Sequence, residues 1–161
     1  MPLSPSSAPT PAEEPTGAVR EAAVLLLAGQ GGAEPDPDQI RSTASPAELF
    51  QGTGTLIAAL VDVIAGDGDP LDLVAPVLRR LRRTEPGLTA DLVATIGGAL
   101  VASALGHSPT GWRTRGDLPS DGALPVPADE AYAWTITGRL LVDLLDHAAG
   151  KGTAASLLGE L

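Results

Sequence analysis

The sequence predicts an all-α fold: a compact bundle of four to six helices behind a disordered, Pro-rich N-terminal tail. Three observations carry this expectation. From Ser45 to Gly106 three helical segments follow one another, each with its own start and stop residues. Residues 128–149 repeat apolar side chains at the i, i+3, i+4, i+7 spacing of an amphipathic helix. Nothing comparable marks a strand.

Composition bounds the rest. A chain of 161 residues suits one domain plus tails. Hydrophobic residues make up 43% and aromatics only 2%, so the core must be built of Leu, Val, Ile and Ala. The net charge of −10, from 20 acidic and 10 basic residues, repels phosphates and anionic lipid. Neither nucleic acid nor a membrane is therefore an expected partner. The chain has no cysteine, which excludes disulfides, thiolate metal sites and cysteine nucleophiles. No uninterrupted apolar run reaches the ~18 residues that cross a bilayer. The apolar stretch Ala22–Ala28 follows Glu13, Glu14 and Glu21 against one Arg20, the wrong charge for export, so a cytoplasmic location is expected.

In chain order, residues 1–16 hold five prolines among Ser, Thr and Ala and read as a disordered tail. Residues 17–44 read as a short helix, 17–28, and a Gly/Pro-rich linker. The helix either packs on the bundle or is presented to a partner. Residues 45–161 are the bundle domain. Ser45-Pro46-Ala47-Glu48 is a capping box with Pro at the first helical position. The helix is expected over 46–65; Gly52 and Gly54 weaken its first turns, which leaves a start near Thr55 as the alternative. Asp69-Pro70 opens the next segment, where Pro76 predicts a kink or a late start. Thr89 caps a helix over 89–105 whose small residues, Ala94, Gly97, Gly98, Ala99 and Ala102, suit close neighbours on several sides. They also suit self-association into a homo-oligomer. Residues 106–127 read as a long loop. The last long helix, 128–149, carries Asp129 and Glu130 at its positive end and closes at Gly150.

Candidate chemistry is sparse. Asp62, Asp67 and Asp69 gather where one helix ends and a glycine turn begins. They serve either as helix punctuation or as oxygen ligands for Mg²⁺. Their spacing resembles the Asp-x4-Asp-x-Asp motif of the nucleotide-binding subunit of dihydroxyacetone kinases. That resemblance implies an all-helical barrel in which these aspartates hold Mg²⁺ and, through it, ATP. It extends over residues 55–110 at most. Pro70-Leu71 and Gly106-His107-Ser108-Pro109 depart from the family's turn and glycine-rich loop. Gly106-His107-Ser108-Pro109 fails as a nucleophile elbow, because Pro109 has no N–H to donate to an oxyanion.

Arg79, Arg80, Arg82 and Arg83 form the one dense basic cluster. They either favour a helix C-terminus or receive an acidic or phosphorylated partner. Trp112 and Arg113 either form an exposed patch with the residue mix of an interface hot spot or fold back to cover the core. Asp143, Asp146 and His147 lie within one helical turn, where Asp143 and His147, four apart, either share a metal or leave His147 as a helix cap. Without a catalytic constellation, the expected function is a non-enzymatic helical interaction or accessory module with a protein partner and no cofactor. The alternative, from the resemblance, is a Mg²⁺- and ATP-binding protein.

Overall fold

A computed structural model describes residues 17–28 and 44–160. The expected tail over 1–16 and most of the expected linker over 29–44 lie outside the described residues. Seven α-helices and one 3-10 turn make up all regular structure among the described residues, so the chain is all-α. The helices are α1 Gly17–Ala28, α2 Pro46–Ala65, α3 Val74–Thr84, α4 Ala90–Ala104, α5 Pro109–Thr114, α6 Ala128–Ala149 and α7 Thr153–Gly159. The 3-10 turn covers Pro70–Leu73.

The helix starts follow the sequence signals. Ser45 Oγ accepts from the Glu48 N–H at 3.2 Å and Thr89 Oγ1 from the Leu92 N–H at 3.2 Å, satisfying donors that the first turn leaves open. Proline sets the late start of α3. Pro70 opens the 3-10 turn, and Pro76 sits in the first turn of α3, where no backbone donor is needed.

Two expectations are resolved by the structure. The helix expected over 46–65 covers Pro46–Ala65 and runs straight through Gly52 and Gly54, so the alternative start near Thr55 is not the one adopted. These glycines are surfaces of approach. A Cβ on Gly52 would lie 2.9 Å from the carbonyl oxygen of Ala18, in the backbone of α1. A Cβ on Gly54 would overlap Thr110 Oγ1 and lie 3.2 Å from the Trp134 ring. Second, the stretch expected as a loop over 106–127 contains α5. Ser108 Oγ accepts from the Gly111 N–H at 3.1 Å, and Pro109 takes the first helical position. The rest of that connection is tied to the start of α2, where the Ala47 N–H donates to the Gly122 carbonyl at 3.1 Å.

The core is mainly aliphatic. Leu56, Ile57 and Leu60 of α2 meet Ile96 and Leu100 of α4 and Leu141 and Leu145 of α6, all buried. Two of the four aromatics join it, Phe50 and Trp134, with ring centroids 4.6 Å apart and tilted by 51°. By length and composition α2 could cross a membrane, but half of its apolar stretch is buried inside this core. Helix α1 packs on the bundle through Ala18, Ala22, Ala23 and Leu26. Arg139 of α6 donates to the Leu25 carbonyl in its last turn at 3.2 Å.

Alanine favours a helix over glycine by about 1 kcal/mol, so packing alone decides the sign at these sites. Gly52→Ala is expected to lower stability by about 1–3 kcal/mol through overpacking against the α1 backbone. Gly159→Ala, which meets open space, is expected to leave stability unchanged or slightly higher. Urea denaturation of both variants checks this.

Candidate functional site

The C-terminal half of α4 leaves part of its apolar face uncovered. Gly98, Val101, Ala102 and Leu105 stand at i, i+3, i+4 and i+7, so they share one face. Opposite them α5 presents Gly111 and Trp112. Between the two helices lies an open cleft of about 580 Å³, within the roughly 300–1,000 Å³ of small-ligand sites. The Trp112 ring lies against the Gly98 backbone, where any Cβ would overlap it. Trp112 is still 47% exposed, Leu105 58% and Val101 37%. His107 and Ser108 complete the lining, which contains no carboxylate, lysine or arginine. The site offers apolar contact and shape. Ser108 is occupied as the cap of α5 and is not arranged as a nucleophile.

Trp112 and Arg113, read together either as a partner surface or as a cover for the core, point to different tasks. Arg113 turns to α6 and grips Glu130 with two donors: Nε to Oε2 at 2.9 Å and Nη2 to Oε1 at 2.8 Å. Glu130 is buried at 4% exposure, and the two-point bond compensates its charge. Hydrogen bonding to Glu130 raises the Arg113 guanidinium above its already high pKa, so the arginine stays charged. The pair fixes α5 on α6 and so sets where Trp112 stands. Nearby, the Tyr132 phenol donates to Glu85 at 3.2 Å. Partial desolvation, then the Glu85 carboxylate, raises its pKa above the ordinary value.

Asp62, Asp67 and Asp69 are all exposed. Asp69 Oδ1 accepts from the Leu71 N–H at 3.0 Å, capping the 3-10 turn. Among the described residues no three His, Cys, Asp or Glu side chains are placed to hold a metal ion. Asp146 likewise serves a helix start, accepting from the Ala154 N–H of α7 at 2.8 Å.

The four arginines of α3 are exposed, and they divide. Pro76, Arg79, Arg80, Arg83 and Thr84 follow i, i+3, i+4, i+7, i+8 and form one stripe. With Leu144 of α6 they line a depression of about 500 Å³. Arg82 falls off the stripe and does not line it. None of the four guanidinium groups forms an ion pair or side-chain hydrogen bond with a described residue.

Comparison with family models, characterised proteins and solved structures gave no match.

Two outcomes follow from this geometry. Arg113→Met strands the Glu130 carboxylate. It is expected to cost about 2–4 kcal/mol in urea denaturation, short of a fully buried pair because Arg113 is 36% exposed. Millimolar Mg²⁺ with ATP is expected to leave the thermal midpoint unchanged. A rise that Asp67→Asn removes would instead establish ligation by the aspartates.

Proposed function

We propose that the protein is a non-enzymatic helical module that receives an apolar helical segment of a partner protein in the α4–α5 cleft. The supporting observation is the uncovered face of α4 with a half-exposed tryptophan beside it. Large apolar side chains gathered at one exposed place favour contact with another molecule. A cleft between two helices, without a carboxylate, lysine or arginine in its lining, matches the way a grooved surface accepts the i, i+3, i+4 side chains of an amphipathic helix. Tryptophan is among the residues that carry most of the energy of such contacts. The acidic net charge speaks against nucleic acid as the occupant. The Mg²⁺–nucleotide alternative draws no support from Asp69, whose carboxylate is used as a cap.

The test is quantitative co-purification with the wild-type chain and with Leu105→Glu, followed by binding measurements on the recovered partner, purified. Leu105→Glu and Trp112→Ala are expected to weaken binding at least about tenfold, or ~1.4 kcal/mol. Both residues are exposed, so the fold should be retained. A partner that binds both variants as tightly as the wild type would refute this use of the cleft.

A further inference from the structure

We infer that the α3 stripe of Arg79, Arg80 and Arg83, which lines a depression with Pro76, Thr84 and Leu144, binds an acidic peptide segment of a protein partner. This deepens the interaction-module reading and rests on it, but it concerns a different surface.

Four of the chain's 10 basic residues stand within five consecutive positions of a protein whose net charge is −10. Arginines in so acidic a molecule have many carboxylates to choose from. Yet none of these four pairs with a described residue. A helix C-terminus explains some preference for cations there, worth about 0.3–1 kcal/mol each. It does not explain why three of them share one stripe with a proline and a threonine and face a leucine on another helix.

The shape then selects the ligand. Guanidinium groups one turn apart, at Arg79 and Arg83, with Arg80 beside them, present planar donor forks that match carboxylates two at a time. The lining joins the apolar Pro76 and Leu144 to three guanidinium groups and Thr84. That combination accepts a short segment carrying both acidic and apolar side chains. A nucleic acid or an anionic membrane would meet the remaining acidic surface as well, and that repulsion disfavours both. The depression of about 500 Å³ is also local, whereas a polyanion needs a long basic track.

The stripe makes a claim that bulk charge does not. Arg79→Glu, Arg83→Glu and Arg82→Glu change the net charge equally, but only the first two alter the depression. The experiment titrates the full chain at low salt with a short synthetic peptide of alternating Leu and Glu. Binding is followed by NMR of the arginine Nε–H resonances, with inorganic phosphate and a single-stranded DNA oligonucleotide run in parallel. The expected result is saturable binding of the peptide with shifts at Arg79, Arg80 and Arg83. It should weaken at least about tenfold in Arg79→Glu and Arg83→Glu, less than about threefold in Arg82→Glu, and fade as salt screens the charges. Equal weakening by all three variants would overturn the site in favour of diffuse attraction. No saturable binding, or phosphate or DNA binding as tightly as the peptide, would overturn the peptide assignment. Leu105→Glu should leave peptide binding intact, so failure at the α4–α5 cleft is distinguishable from failure here.

Discussion

The close approach of α2 to its neighbours at Gly52 and Gly54 is the constraint on which the other packing depends. With no side chain at Gly52, the backbone of α1 lies directly on α2. With none at Gly54, Thr110 of α5 and Trp134 of α6 reach the same helix from the other side. Each glycine costs helix stability of about 1 kcal/mol relative to alanine. The contacts they admit, the α1 backbone at Gly52 and the Trp134 ring at Gly54, offset that loss. The fit also has a polar cost. Thr110 Oγ1 and Trp134 Nε1 are buried without a hydrogen-bond partner among the described residues, and such groups typically cost about 1–3 kcal/mol each. In this mainly aliphatic core, the Trp134 ring lies where α2, α5 and α6 come together at Gly54.

From that meeting point the exposed surface follows. Thr110 anchors one side of the short α5 on α2, and the Arg113–Glu130 ion pair anchors another on α6. Trp112 lies between these anchors in sequence and is turned outward onto Gly98 of α4. A third glycine thus repeats the same device at the surface, where it seats a ring in place of a backbone. The uncovered face of α4 results from where α5 is pinned. A six-residue helix has little stability of its own, so its position is set by tertiary contacts.

Much of this fold was legible because its signals are local. Ser45, Asp69 and Thr89 cap what they were expected to cap, and the apolar stripe of α6 needs only its own periodicity. The small residues of α4 correctly implied several neighbours, since it meets α2, α3, α5 and α6. What failed depends on partners distant in sequence. Gly52 and Gly54 look like flaws in a helix until α1 and Trp134 are placed beside them. Arg113 looks like an exposed hot-spot residue until Glu130, 17 positions on, is brought to it. The division of the arginines was already present as spacing, with Arg79, Arg80 and Arg83 at helical intervals and Arg82 off them. Only the arrival of Leu144 gives that division a meaning.

The central claim is that a glycine-seated core holds α4 and α5 rigidly enough to present an apolar cleft to a partner protein. Hydrogen–deuterium exchange on the full chain, free and in complex with its purified partner, tests it most directly. The account predicts added protection over the C-terminal half of α4 and over α5, with the turn from Asp62 to Asp69 unchanged. Protection centred on that acidic turn, with α4 and α5 unaffected, would contradict it.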